Sequence, residues 1–279
     1  MLGLNNYPEL LNESFIGGLL WPFTTGDEIM TDVAVLLKQV PDTNAKIVVS
    51  GGRVDEGAVN KWSMSPFDEY ALEAALSLGG SITAITCGPE RAKKMLTDAA
   101  AVGASNLLHI QVDDLTTLDS NQLSTILAAA VGRTGASVVF CGKQAADTNA
   151  GSTGPGVAEK MGAACVTMVS ELTGNSSDFL ALRPATDGME RISVSAPCVL
   201  SFDKMSEELR RPNVKGIMMA KKKAIESISV QDLGVDIGSA SVSMDSQSPP
   251  PEKPAGQKFE GADSVSTVVK KLRDEAKVI

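Results

Sequence analysis

The sequence is poor in the residues on which many catalytic and metal sites depend. Aromatic residues make up 4% of its 279 residues, and it contains one histidine and four cysteines. The histidine, His109, lies inside a short apolar run without any nucleophile motif beside it, so Ser or Cys hydrolase chemistry is not indicated. The cysteines form no C-x-x-C pair, which argues against a zinc site. Each lies at or beside an apolar run, and we expect four buried, reduced thiols.

Long apolar runs and excess positive charge are also missing. No run approaches the roughly 20 residues of a membrane-spanning helix, and the net charge of −9 does not favour nucleic-acid binding. Residues 1–29 contain no Lys or Arg, unlike a secretory signal or a mitochondrial presequence. We interpret them as a weakly ordered N-terminal extension. We expect a bacterial cytoplasmic protein, with the mitochondrial matrix as the alternative.

Mostly apolar runs alternate with helical patterns through the first part of the chain. Continuous apolar runs are typical of strands buried on both faces, and here they are Val33–Leu37, Ile82–Cys87, Leu107–Ile110 and Ser137–Cys141. Ser65 and Pro66 have the order of an N-cap and a first helical residue. The alternation predicts an α/β fold with a doubly wound, mostly parallel, Rossmann-like sheet.

The run that ends at Gly142 continues into a glycine-rich loop and then a helical pattern that includes Val157 and Met161. A loop of this kind brings free backbone N–H groups and a helix N-terminus together, where a phosphate is the usual occupant. Ser152 and Thr153 would either cap the helix or donate to phosphate oxygens. The loop matches neither a P-loop nor a G-x-G-x-x-G fingerprint, so an ordinary strand-to-helix turn remains open.

The second part of the chain has a different pattern. After Gly162, strands and the hairpin signal Thr186-Asp187-Gly188 predict antiparallel strands that extend the parallel sheet. Residues 206–223, here called the docking segment, combine Lys and Arg with the apolar residues Val214, Ile217, Met218 and Met219, as expected of a surface that binds a partner. A Pro-rich linker and an amphipathic helix starting at Asp263 or Ser264 form a C-terminal arm.

Five motifs occur in order over most of the chain: LLKQVPDTNAKI, KWSMSPFDEYALEAAL, TCGPERAKKML, CGKQAADTNAGSTGPG and IMMAKKKAIE. Together they resemble the β subunit of electron transfer flavoproteins, from about Thr31 to the C-terminus. The resemblance implies a nucleotide-binding α/β domain at 30–225 and an arm at 226–279 whose helix packs on a partner subunit. The fold would then also resemble that of the adenine-nucleotide α-hydrolases.

The resemblance implies an electron carrier without substrate chemistry of its own. In that family an α subunit holds most of the FAD, and the β subunit buries a structural AMP. The heterodimer accepts electrons from acyl-CoA and related dehydrogenases, as in fatty acid β-oxidation. It passes them to electron transfer flavoprotein–ubiquinone oxidoreductase or another acceptor.

The resemblance also implies positions for these contacts. The nucleotide would be held by Leu36, Ser65, Pro66, Phe67, Asp68, Cys87, Gly142, Lys143, Gln144, Asp147, Asn149, Gly151, Ser152 and Thr153. Thr43 and Phe67 would approach the partner's flavin. Val214, Ile217 and Met218 would dock the dehydrogenase, although the family often has leucine in place of Val214, and lysine in place of Met219.

Three alternatives remain open. Electron-bifurcating relatives place a second FAD in the same pocket, and the loop around Asp147 and Asn149 matches neither their motif nor the common AMP motif. Ser63-Met64-Ser65-Pro66-Phe67 resembles the non-bifurcating branch, which favours AMP. A hydrolase of the adenine-nucleotide α-hydrolase type or a stress-type ATP-binding regulator would share the sheet, but Lys143 is the only basic residue in the loop and no metal-ligand spacing is present.

Overall fold

The computed structural model describes residues 32–175, 177–252 and 255–279. The predicted extension at 1–29 lies outside these ranges. The α-helices of the described residues are α1 Pro66–Ser77, α2 Lys93–Val102, α3 Ser120–Thr134, α4 Thr153–Met161, α5 Val214–Ala220 and α6 Val265–Asp274. The strands are β1 Val33–Leu36, β2 Gln39–Pro41, β3 Val49–Ser50, β4 Arg53–Val54, β5 Trp62–Met64, β6 Ile82–Gly88, β7 Asn106–Gln111, β8 Val138–Gly142, β9 Ala164–Val169, β10 Glu171–Asn175, β11 Asp178–Ala185, β12 Gly188–Ser195, β13 Cys198–Phe202 and β14 Glu226–Ser229.

A seven-stranded sheet forms the centre of the fold, with strand order β14-β7-β6-β1-β8-β13-β9. Every pairing within it is parallel. From β1 the chain continues to β6 and β7 on one side, and β8 then lies on the other side of β1. The order therefore reverses at β1 and β8, where an open parallel sheet has a crevice for ligands. The predicted doubly wound α/β fold is confirmed.

The sheet is buried on both faces. Helices α1 and α2 pack on one face with alternate strand residues such as Val35 and Phe140. Helices α3 and α4 pack on the other face with the intervening residues such as Ala34 and Val139. This double burial explains why the strands read as continuous apolar runs rather than as alternating ones. Across the described ranges, no helix has the length and apolar character required to cross a membrane.

The antiparallel strands do not lie where the sequence analysis placed them. Strands β10, β11 and β12 form a separate three-stranded sheet, whereas β9 and β13 join the central sheet in parallel. The prediction that antiparallel strands extend the central sheet is therefore wrong. The separate sheet covers one end of the central core, because Phe179, Ala181 and Val194 pack into the cluster that contains α1 and α2.

One cysteine also differs from the prediction. Cys87, Cys141 and Cys198 are buried free thiols, but Cys165 is exposed. Cys165 lies on β9, which is an edge strand of the central sheet.

A buried carboxylate connects three elements at the crevice. Asp68, in the first turn of α1, is 6% exposed. One carboxylate oxygen accepts the N–H of Lys38 at 2.7 Å, and the other accepts the N–H of Gly142 at 3.0 Å. Lys38 follows β1 and Gly142 ends β8, so Asp68 holds the ends of two adjacent strands against the start of α1.

Gly142 is packed so closely against α1 that a side chain has no space there. A Cβ at this position would lie 2.8 Å from the backbone nitrogen of Asp68 and would overlap its carboxylate. We expect Gly142→Ala to lower the free energy of unfolding by about 2–4 kcal/mol, because the backbone must shift to make room. The measurement is urea unfolding. Gly132→Ala is the matched control, since a Cβ on that α3 glycine meets no atom within 4 Å. It should be stabilising by about 0.5–1 kcal/mol. Equal losses in both variants would contradict this account.

Burial of Asp68 also makes stability depend on pH. Burial raises the pKa of Asp68 from 3.8 to about 7, against the opposing effect of the two N–H donors. Between these two pKa values the folded chain retains a proton that the unfolded chain releases, so stability falls as the pH rises through this range. Asp68→Asn removes this titration. From about pH 4.5 to 7.5, we expect the wild type to lose about 3 kcal/mol of unfolding free energy relative to Asp68→Asn. Urea unfolding at both pH values measures the difference, and parallel pH profiles would argue against it.

Candidate functional site

A cavity lies at the carboxyl ends of β1, β6 and β8, the edge that the topology selects. Its lining residues come from these strand ends, the first turn of α1, the glycine-rich loop, α3 and the turn before α3. They are Leu36, Leu37, Lys38, Asp68, Cys87, Leu115, Leu123, Leu127, Cys141, Gly142, Lys143, Gln144, Ala145, Gly151 and Thr153. Three of the four predicted strands, those that end at Leu37, Cys87 and Cys141, therefore end at one site.

The glycine-rich loop delivers the N-terminus of α4 to this cavity. Gly151 has a left-handed backbone with φ 68°, and Ser152 occupies the N-cap position without a side-chain capping bond. The Ser152 hydroxyl therefore does not cap α4, and it is free of that role in the proposed contact with a phosphate. The first turn of α4 retains backbone N–H groups that no helix residue can accept, which is the usual geometry of an anion site.

Part of the cavity wall is apolar. Leu123 and Leu127 lie one turn apart on α3, and Leu115 and Cys87 complete the wall. An apolar wall of this kind suits an aromatic ring that is bound by dispersion and burial. The site residues predicted from the sequence did not include these leucines. Their positions along the chain gave no signal that α3 crosses the strand ends.

Two lysines at the cavity are each paired with an acid. The ammonium of Lys38 contacts the carboxylate of Asp147 at 2.8 Å. The ammonium of Lys143 contacts the carboxylate of Asp203 at 2.8 Å and lies 4.6 Å from the centre of the Phe67 ring. The lysines thus hold the loop to β1 and to the end of β13 while their charges remain next to the cavity.

The thiols that line the cavity are kept protonated. Burial raises the pKa of Cys87 to about 12, and burial raises the pKa of Cys141 further above its ordinary value. Neither supplies a thiolate near neutral pH, so the cavity has no cysteine nucleophile. Within the described ranges, no group of three or more His, Cys, Asp or Glu side chains is placed to hold a metal ion.

Several predicted site residues lie beside the cavity rather than in its lining. They are Ser65, Pro66, Phe67, Asp147, Asn149 and Ser152. Ser65 is the N-cap residue of α1 and Pro66 follows it, as predicted, but the Ser65 hydroxyl makes no capping bond. It accepts the N–H of Ala146 at 3.3 Å instead. The oxygen of the Asn149 side chain accepts the Gln144 amide at 2.9 Å. Ser65 is buried and contacts the loop at Ala146, whereas Asn149 is an exposed residue of the loop itself.

The lining residues that the site prediction omitted are Leu37, Lys38, Leu115, Leu123, Leu127, Cys141 and Ala145. Leu37, Lys38 and Cys141 adjoin predicted strand ends, and that position is the signal by which they could have been found. Thr43, the predicted flavin neighbour, is exposed in the turn after β2.

The docking segment is partly helical. Asn213 caps α5, where its side-chain oxygen accepts the N–H of Gly216 at 2.7 Å. Val214 is 75% exposed and Met218 is 61% exposed, and Ile217 is exposed as well. The segment therefore presents apolar side chains to solvent from a defined helix, as its composition predicted.

Comparison with known proteins identifies the family. The family model described as "Electron transfer flavoprotein domain" matches residues 56–233. The chain is 35% identical over 255 residues to the electron transfer flavoprotein subunit beta of Bacillus subtilis, covering 88% of this chain and 98% of that protein. It is 32% identical over 254 residues to the subunit of the same name from Mus musculus, covering 88% and 97%. The corresponding subunit of Bradyrhizobium diazoefficiens is 32% identical over 253 residues, with 88% and 99% covered. A family model that matches more than half of the chain, together with relatives covered almost end to end, shows that this chain belongs to the electron transfer flavoprotein family and resembles its β subunits.

Proposed function

We propose that the chain is the β subunit of an electron carrier that pairs with an FAD-bearing α subunit. The observation that carries the proposal is the cavity, whose lining combines the residues that begin α4 with apolar side chains of α3 and of the turn before it. Such a cavity suits a nucleoside monophosphate. Among the described residues it contains no nucleophilic thiolate and no cluster of metal ligands. We assign no acid, base or nucleophile of this chain to chemistry of its own.

The residues of the cavity fit a structural AMP. The phosphate would be held by the backbone at Gly151 and by Ser152 and Thr153, where α4 begins. The base would lie between Leu115, Leu123 and Leu127, which offer area but no polar groups. Lys38 and Lys143 would provide positive charge beside the phosphate. Burial of the nucleotide would connect the loop to α3 and so favour one shape of the surface offered to the α subunit.

The flavin of the partner supplies the redox chemistry, and this chain contributes to its surroundings. We propose that Thr43 and Phe67 approach that flavin, because both lie at the edge of the sheet where β1 and β8 end. Phe67 is fixed at the start of α1, next to the buried Asp68 and under the Lys143 ammonium. A fixed aromatic ring and an exposed turn would limit access of water to the partner's flavin.

The arm offers a surface for the α subunit. No residue of α6 is buried, and Val265, Val269 and Leu272 are 58%, 38% and 38% exposed. The helix places these side chains on one face, because they follow helical spacing. We propose that the α subunit covers this face in the heterodimer.

The docking segment would receive the electron donor. Val214, Ile217 and Met218 lie beside Lys and Arg residues, and such a surface suits an acidic partner with an apolar recess. We propose that acyl-CoA and related dehydrogenases dock there and that the heterodimer passes electrons to electron transfer flavoprotein–ubiquinone oxidoreductase or another acceptor, in the bacterial cytoplasm.

Gly151→Val tests the nucleotide site. A Val side chain would enter the space where a phosphate approaches the backbone, so we expect the AMP content of the purified heterodimer to fall about tenfold. Nucleotides released by denaturation are measured by chromatography. Gly162→Val is the matched control, because Gly162 has a similar φ of 61° at the other end of α4 and its Cβ would meet no atom within 4 Å. An unchanged AMP content in Gly151→Val, or equal losses in both variants, would place the nucleotide elsewhere.

Val214→Ala tests the docking role. The loss of two methyl groups from an apolar contact should lower kcat/KM for reduction by an acyl-CoA dehydrogenase about fivefold. Flavin content should not change. Val242→Ala is the matched control, because Val242 is 73% exposed, close to the 75% of Val214, and lies outside the docking segment. Equal turnover in Val214→Ala and the wild type would remove the docking assignment.

A further inference from the structure

An ion pair between a buried carboxylate and a half-exposed guanidinium fixes the start of the docking segment to α1. Glu73 is 7% exposed on α1, and Arg210 precedes α5 in the docking segment. The guanidinium of Arg210 donates to both carboxylate oxygens of Glu73, with Nη2 at 2.6 Å and Nε at 3.0 Å. The main-chain N–H of Arg210 also donates to this carboxylate, at 2.9 Å. One acidic side chain therefore holds both the side chain and the backbone of Arg210.

The pair is built to remain charged. Burial alone would raise the pKa of Glu73, but the hydrogen bonds from Arg210 outweigh burial and lower the pKa of Glu73 below its ordinary value. A bidentate contact between guanidinium and carboxylate also fixes orientation, which a single lysine contact does not. Its carboxylate is buried although its guanidinium is half-exposed, so the pair differs from ion pairs with two exposed partners, which contribute little to stability.

Two further contacts hold the other end of the segment. Gly216 allows α5 to approach the carbonyl of Ala101 at the end of α2, where a Cβ would overlap it. The ammonium of Lys223 donates to the carbonyl of Ala104 at 2.7 Å. Arg210, before α5, thus attaches the segment to α1. Gly216 in α5 and Lys223 after it attach the segment to α2 and to the turn that follows α2. Between these attachments its apolar side chains face solvent.

We infer that Glu73 is a positioning residue for docking, because its hold on Arg210 presents the apolar side chains of α5 in one preformed arrangement. The inference rests on the docking role proposed above. A preformed surface reduces the conformational entropy that is lost on association. Loss of the preformed arrangement should therefore weaken binding of the dehydrogenase more than it slows electron transfer within the complex. Glu73 also lies on the same helix as Phe67 and Asp68, so α1 sets the place of the docking segment relative to the cavity.

Glu73→Gln in the complete heterodimer tests the inference. Gln removes the charge and leaves the shape, so Arg210 loses its bidentate partner. We expect KM for the acyl-CoA dehydrogenase to rise about five- to tenfold with kcat changed by less than about twofold. Flavin content, nucleotide content and reduction of the flavin by dithionite should match the wild type. The control Glu226→Gln breaks the exposed Arg133–Glu226 pair and should leave KM unchanged.

A second variant covers the case in which Glu73→Gln does not fold, since an unpaired charge beside the core is destabilising. The double variant Glu73→Leu with Arg210→Leu removes both charges, so that none is left unpaired, and it should show the same rise in KM. A folded, flavin-loaded variant of either kind with the wild-type KM would overturn the inference. Val214→Ala separates the two proposals. If it raises KM while the Glu73 variants do not, docking stands and the positioning role falls. If none of the three variants changes KM, the docking role itself fails.

Discussion

The carboxylate of Asp68 lies where two parallel strands end, and it accepts one backbone N–H from each side. The loop after β8 must therefore start against the first turn of α1, and at position 142 only glycine fits the remaining space. From that point the chain passes over Ser65 and returns as α4. The cavity, Phe67 and the helix that carries Glu73 all take their positions from this junction.

Much of the fold could be predicted from the sequence, because burial on both faces leaves a direct signal. The runs at Val33–Leu37 and Ser137–Cys141 are continuous and apolar, and both are central strands. The strands after Gly162 gave a weaker signal. Their composition indicated hairpins. Whether such strands join the central sheet or form a separate one depends on how their apolar side chains, such as Phe179 and Val194, pack against the core. That choice is made by tertiary packing and not by local pattern.

The site was predicted in outline and missed in part. Loop residues such as Gly142 and Gly151 were identifiable, because glycine at a strand-to-helix turn has a direct steric meaning. Leu123 and Leu127 were not, since a leucine that lines a cavity and a leucine that fills a core have the same helical spacing. Ser65 was correctly placed at the N-cap by its position before Pro66, but its hydroxyl accepts a bond from the loop instead of from the helix, and local sequence does not indicate that choice. The pair of Glu73 and Arg210 joins residues that are 137 positions apart, and no local pattern indicates it.

We propose that the cavity of this chain holds one nucleotide without redox function and that its surface serves a flavin held by a partner subunit. The most direct test is the nucleotide content of the wild-type heterodimer, made by co-expression with its α subunit, denatured and analysed by chromatography and mass. The account predicts one FAD and one AMP per heterodimer. Two FAD molecules and no AMP would contradict it, because the cavity would then hold a redox cofactor, and the chain would be assigned to the bifurcating branch of the family.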